Sequence, residues 1–208
     1  MNKNLDKYIN TLVKKYNKFD GAHDEKHALM VIKNSLYLAA KLEKDENQKL
    51  NMDMVKTIAA MHDLGLAYDR ETHHSKSGEI VRKDKELRKY FSEEEIEIIA
   101  KACEEHRASY KGEYTSIYSK IVSDADRMND IYTMIERTYK YNSKHHPDFN
   151  QKQIFDIAYG HLKEKFGSGG YARYNTKYAE DVLKGCIDII NNEDEFSKKY
   201  REVTGYWE

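Results

Sequence analysis

A chain of 208 residues carrying one proline, ten glycines and 34 % charged residues lacks the turn punctuation of a β-sandwich or barrel. Its 39 % hydrophobic and 12 % aromatic content, at a mean hydropathy of −0.90, argues against disorder and for a largely helical domain with a strongly polar surface. Thirty-five Lys+Arg against thirty-six Asp+Glu leave a net charge of −1, so no bulk basic field exists to grip a polynucleotide. The expected partner is therefore a small molecule; no polymeric nucleic acid and no membrane partner is expected, and a homo-oligomer is left open. The polar N-terminus offers no signal-peptide core, no apolar run approaches the roughly 20 residues that span a bilayer, and the two cysteines, Cys103 and Cys186, form no disulfide framework. The chain reads as cytoplasmic and reduced.

In chain order, Leu5, Ile9, Leu12, Val13 and Tyr16 space a first amphipathic helix, and a second is expected from about His23 to Leu42. Lys44 to Lys49 reads as a loop or frayed end. Val55, Ile58 and Ala59 mark a third helix stopping near Gly65. A polar segment from Ala67 to His73 precedes a helix from about Lys76 to Tyr90. Ser92 with Glu95 is a capping-box signature that opens a helix through His106. Another begins near Ile117 and runs past Asp126, with a bend before Tyr141. After Pro147 a helix spans about Gln151 to Phe166, closed by Gly167-Ser168-Gly169-Gly170, and a last one spans Thr176 to Asn191 before an aromatic tail, Tyr200 to Trp207. The expected organisation is a single domain over residues 1–208, with a core at about 20–135 and a helical extension at about 145–208.

Chemistry-bearing residues fall on the apolar faces of these helices. His62 shares a face with Val55, Ile58 and Ala59; His23 and His27 lie with Val31 and Asn34; His106 follows Ile99, Ala102 and Cys103; Asp126 lies with Val122 and Ala125. Burying these groups separately would leave several polar groups unpaired. Gathered around a divalent cation they satisfy one another, and two imidazoles with two carboxylates suit one Mn, Fe, Co, Ni or Zn ion, or a pair of them.

The series His27, His62-Asp63 and Asp126, set in Gly21-Ala22-His23-Asp24-Glu25-Lys26-His27, Ala59-Ala60-Met61-His62-Asp63-Leu64-Gly65 and Ile121-Val122-Ser123-Asp124-Ala125-Asp126-Arg127-Met128, resembles the HD-domain phosphohydrolase superfamily. The resemblance covers roughly residues 20 to 135. It implies an all-α HD-domain bundle, here with extra C-terminal helices, and His27, His62, Asp63 and Asp126 as metal ligands. Asp126 is preferred to Asp124 because the family ligand directly precedes a basic residue. By the same resemblance Asp63 also orients the attacking water, and His74 and His106 bind a second metal or donate protons. Arg70, Arg107 and Arg127 are candidate phosphate clamps, with Asp130 beside them. Leu66 stands where nucleoside monophosphatases of the superfamily often carry glutamate and cyclic-dinucleotide phosphodiesterases lysine, and the latter's Gly-Tyr-Pro element is missing. The expected activity is metal-dependent hydrolysis of a small phosphate ester, first of all a nucleotide. The alternatives are an HD-fold di-iron oxygenase using His27, His62, Asp63, His74, His106 and Asp126, and a non-catalytic metal-binding module.

Overall fold

The helical periodicities become ten α-helices and three 3-10 turns, with no strand among the described residues, 2–19, 23–46 and 48–206 of the computed structural model. Gly21 and Ala22, which open the first histidine motif, and Trp207 of the aromatic tail lie outside the described residues. The chain divides into two compact units, Met1–Met128 with Tyr174–Ala179, and Asn129–Arg173 with Glu180–Glu208. The Gly167–Gly170 segment lies inside the second of these.

The first unit contains α1 (Lys3–Val13), α2 (Glu25–Glu46), α3 (Met52–Met61), α4 (His73–Lys83), α5 (Glu93–Glu105) and α6 (Ile117–Arg127). Asn2 caps α1, which buries Leu5, Ile9, Leu12 and Val13. Removing each such side chain from water contributes about 1.5–3 kcal/mol. A 3-10 turn over Lys14–Lys18 then carries Tyr16 inward to 0 % exposure. Helix α2 runs past the expected end to Glu46; beyond it, the Glu43 carboxylate takes the Leu50 amide and Asp45 takes the Tyr178 hydroxyl, which gives that last charged turn partners. Asn51 caps α3, whose inner face is Val55, Ile58 and Ala59.

Helix α4 begins and ends earlier than the periodicity suggests. Its end is set by Asp84, whose carboxylate accepts the amides of Glu86 and Leu87 and turns the chain into a short 3-10 segment at Leu87–Lys89. The capping box at Ser92 and Glu95 is present on α5, with both reciprocal hydrogen bonds made. The long helix expected from Ile117 onward is two helices, because the chain leaves helical geometry at Met128 and Asp130 caps α7 afresh.

Helices α2 and α6 are pinned together where the site forms. The Asn34 amide donates to the carbonyls of Ala125 and Met128, at 3.2 and 2.7 Å. Behind α6, Asp124 is fully buried and accepts from the backbone and side chain of Asn175 and of Thr176, at 2.7–3.1 Å. Arg127, 1 % exposed, adds an ion pair to Asp124 at 3.2 Å and a hydrogen bond to Ser123 at 2.9 Å. The Tyr174–Ala179 segment is thereby sewn to α6 by a carboxylate that has given up water for five protein donors.

The second unit holds α7 (Ile131–His145), α8 (Gln151–Phe166), most of α9 (Lys177–Asn191) and α10 (Glu193–Thr204). Asn192 caps α10, a helix where only an aromatic tail was expected. Phe196 and Tyr200 on α10 are fully buried and pack on Phe155 and Tyr159 of α8, with ring centroids 4.8–6.0 Å apart. Two of the chain's seventeen tyrosines, Tyr159 and Tyr200, are thus core of this unit.

Replacing Asp124 with alanine strands the Arg127 charge in the interior. We expect Asp124→Ala to lower the urea-unfolding free energy by about 3–5 kcal/mol; a loss below about 1 kcal/mol, the range of an exposed pair, would show that the network is not stabilising.

Candidate metal centre

His62 is the residue after α3, and Asp63 begins the turn that follows, so both side chains leave the end of a helix whose inner face is aliphatic. His62 is 0 % exposed and Asp63 3 %. A buried carboxylate without partners would be strongly destabilising. Its partners are four imidazoles. Asp63 Oδ2 lies 3.2 Å from His62 Nε2 and 3.6 Å from His27 Nε2, while Oδ1 lies 3.3 Å from both His73 Nε2 and His106 Nε2. Asp126 Oδ1 approaches the first pair, 3.2 Å from His27 Nε2 and 3.9 Å from His62 Nε2. The centre thus comprises two ligand groups, His27/His62/Asp63 and Asp63/His73/His106, that share one carboxylate.

The backbone decides which nitrogen each ring offers. His62 Nδ1 sits 2.8 Å from the Ala59 carbonyl, His106 Nδ1 2.7 Å from the Cys103 carbonyl, and His73 Nδ1 2.6 Å from the Arg70 carbonyl. A carbonyl only accepts, so each Nδ1 donates, and each Nε2 is aimed inward to offer its lone pair when the ring is neutral. His62 and His27 Nε2 are buried, and neither makes an aligned hydrogen bond despite the nearby carboxylates. With ligand bonds of about 2.0–2.2 Å, donors on one ion stand about 3.0–3.5 Å apart; four of the six separations lie in that range and the other two, 3.6 and 3.9 Å, just beyond it. Orphaned lone pairs at ligand spacing fit a divalent cation. Nitrogen and oxygen donors alone form the set: the Cys103 thiol, one turn before His106, is fully buried, is directed at the Ile58 carbonyl 3.9 Å away, and is held protonated by burial.

Glycine and tyrosine complete the geometry. A Cβ on Gly65 would stand 2.0 Å from the His73 carbonyl oxygen, so glycine is what lets the first turn of α4 close over the His62-Asp63 turn. The Gly65 amide donates to Ser77 at 2.9 Å and fastens that approach. The Tyr16 hydroxyl accepts the Asp63 amide at 3.2 Å and lies 3.4 Å from His62 Nδ1. Burial, reinforced by the Asp63 charge, holds this phenol well above its usual range, so it stays neutral. Solvent meets the centre mainly at two side chains, Asp126, 21 % exposed, and His73, 12 % exposed.

Several expectations about individual residues need correction. His73 rather than His74 faces Asp63. Both fit the Ser77/Gly78/Val81 face of α4, and the Arg70 carbonyl selects the first of them. His74 is pushed down to about 4 by burial and by the Arg107 charge. Arg127 is committed to Asp124 and Ser123 inside the first unit and is no phosphate clamp. Asp130 belongs to the second unit, where it caps α7 through the Thr133 amide and hydroxyl at 2.9 and 2.6 Å. Asp124 is buried structure behind α6. His23 stands edge-on to His27, with ring centroids 5.6 Å apart. Arg107 is half-buried and donates to the Glu71 carbonyl at 2.8 Å; Arg70 is exposed. Tyr16 was legible only as a core position; nothing in its spacing disclosed the hydroxyl's task.

An all-helical unit with a shared-carboxylate histidine centre defines a class of metal-binding helical domains. The chain matches the HD domain family over residues 25–129, and it belongs to that family. Among solved structures it is similar to a chain from an uncultured Thermotogales bacterium, described as a predicted HD superfamily hydrolase, at 23 % identity. The likeness covers 76 % of this chain and 87 % of that one, with a TM-score of 0.50, and establishes the fold. No curated protein matches. Among the described residues no helix is long and apolar enough to cross a membrane.

Two outcomes follow. Metal analysis after loading with Mn²⁺ should show less bound metal in His73→Ala and an unchanged amount in His74→Ala; the reverse pattern would overturn the placement of these rings. In the metal-free chain burial alone would lower the His62 pKa, but the Asp63 and Asp126 charges raise it to about 9, from 6.5. A raised pKa stabilises fully below the unfolded value and is lost as pH rises through the folded one. Thermal melts in EDTA should therefore fall progressively between pH 6.5 and about 9. Saturating metal, which needs the neutral imidazole, should flatten that decline; equal slopes with and without metal would refute the linkage.

Proposed function

We propose that the chain is a metal-dependent phosphohydrolase acting on a small phosphate ester, with nucleotides as the first substrates to test. The observation that carries this reading is the Asp63 carboxylate, buried and turned with one oxygen toward each of two imidazole pairs. His27, His62, Asp63 and Asp126 hold one cation, and Asp63 with His73 and His106 holds a second. Mn, Fe, Co, Ni or Zn suits this nitrogen and oxygen set. When bound, such a cation supplies hydroxide from water near neutral pH and polarises a phosphoryl oxygen.

The protein's own groups do the rest. His62, His73 and His106 are fixed by their carbonyl partners, so little reorganisation accompanies the reaction. Asp63 is held well below the usual carboxylate range: its imidazoles, His62 foremost, outweigh burial, so it remains an acceptor able to orient water. Asp126 is likewise held anionic by His27 against burial, at the more open flank of the centre where an ester can arrive. Arg107 follows His106 directly and can engage phosphate with the donors not used on Glu71.

The two imidazole pairs also favour a second reading, a di-iron oxygenase, with His73 in place of the His74 expected from sequence. A phosphate-release panel with several divalent metals separates the two. Release that depends on added Mn²⁺, Co²⁺ or Ni²⁺ and disappears in Asp63→Ala, with far-UV helicity retained, supports hydrolysis. Asp126→Asn, at the more exposed of the two carboxylates, provides the same check should the buried substitution impair folding. Two bound irons with oxygen-dependent turnover would overturn the hydrolase in favour of the oxygenase, and bound metal with neither turnover would leave a binding module.

A further inference from the structure

Asn34 is left unused by the metal chemistry, although it shares a face of α2 with His27, two helical turns further on. Its half-buried side-chain amide donates both hydrogens, to the Ala125 carbonyl at 3.2 Å and to the Met128 carbonyl at 2.7 Å. Those two carbonyls bracket Asp126. The first belongs to the peptide unit that contains the Asp126 nitrogen, and the second lies where the chain leaves helical geometry. The last turn of α6 closes loosely, with the Met128 amide shared between the carbonyls of Asp124 at 3.0 Å and Ala125 at 3.3 Å. Apolar packing is non-directional and does not fix such an end, whereas a metal ligand has to stand within about 0.5 Å of its productive place. Asp126 is also less enclosed than Asp63, with its side chain 21 % exposed against 4 %.

We propose that Asn34 is a positioning residue for the metal centre, gripping the chain on both sides of Asp126 from the helix that carries His27. The 3.2 Å between His27 Nε2 and Asp126 Oδ1 is then set at a single joint between α2 and α6. Asn34 touches neither cation nor ester and acts through Asp126. The amide suits this task. It is a neutral group with two donors, whereas lysine or arginine would bring a charge opposing the cation, and an aspartate carboxylate has no hydrogen to give a carbonyl. A different bond holds α6 on its other side: the buried Ser123 hydroxyl donates to the His106 carbonyl at 2.9 Å. Releasing Asn34 therefore loosens the Asp126 side of the centre and leaves the His73/His106 side held. The proposal rests on the metal-binding part of the reading above and not on hydrolysis.

A double-mutant cycle in metal affinity tests this, with free Mn²⁺ followed by electron paramagnetic resonance as the full chain is titrated. The four proteins are wild type, Asn34→Leu, Asp126→Asn and the double variant, with Asn34→Ala in place of Asn34→Leu should leucine disturb the packing. Asparagine at position 126 keeps a ligating oxygen, so an affinity remains to be read in that background. With Asp126 present, loss of Asn34 should weaken the binding of one Mn²⁺ about tenfold, the usual order for a residue that supports a ligand. With Asp126→Asn in place, the same loss should change Mn²⁺ affinity by less than about twofold, because the ligand it serves is already impaired. Equal losses in the two backgrounds would mark a general effect on the fold and overturn the proposal, as would no loss in either. Phosphate release plays no part in this readout, so failure of the hydrolase reading leaves the cycle intact. A wild-type chain that binds no Mn²⁺ would overturn the metal centre itself, and this proposal with it.

Discussion

Everything in the first unit is arranged around one unfavourable act, the burial of the Asp63 carboxylate. A charge placed 3 % exposed at the end of an aliphatic helix costs several kcal/mol unless compensated. Compensation comes from α2, α4 and α5 as well as from the end of α3, because each contributes a histidine whose Nε2 lies 3.2–3.6 Å from that carboxylate. Four helical segments that would otherwise pack as ordinary amphipathic elements are thereby committed to one point. The attraction is long-range in sequence: His27 and His106 reach the same side chain from 36 residues before and 43 after it.

Rigidity at that point is supplied by the backbone. Three of the four rings donate Nδ1–H to the carbonyl three residues earlier, so the groups that hold the imidazoles are the free carbonyls of helix ends and turns. His62 and His106 sit as the C-terminal caps of α3 and α5, where such carbonyls have no helical partner to lose. His73 opens α4 and draws on the preceding loop instead. One kind of hydrogen bond, available wherever a helix stops or starts, thus fixes tautomer and aim together. The Asp124–Arg127 network does comparable service for the far end of α6, from which Asp126 extends.

Much of this was legible in the sequence, and the parts that were not share a cause. His62, His106 and Asp126 were visible because a polar residue repeated on an apolar stripe is costly and invites explanation. The capping box on α5 was visible because its two bonds are local. His73 and His74 could not be ranked, since both occupy the same helical face; the choice rests on where the Arg70 carbonyl points, a property of the loop. Arg127 reads as a phosphate ligand from the resemblance, in which it follows the ligand Asp126, and its spacing does not disclose the ion pair with Asp124. The backbone and side chains of Asn175 and Thr176, about fifty residues away, hold the buried Asp124, and Arg127 is buried against it. The break at Met128 and the helix α10 escaped for a further reason. Asp130 and Asn192 are caps, and a lone Asp or Asn in a charged sequence is a weak mark.

The buried thiol of Cys103 bears on which metals the cell can place here. A soft cysteine donor one turn from His106 would ordinarily draw monovalent copper or cadmium into a histidine cluster. With its proton retained and its sulfur directed at the Ile58 carbonyl, Cys103 takes no part in that competition. The groups gathered around Asp63 thus offer nitrogen and oxygen donors alone, although a sulfur lies only one turn from His106 in sequence.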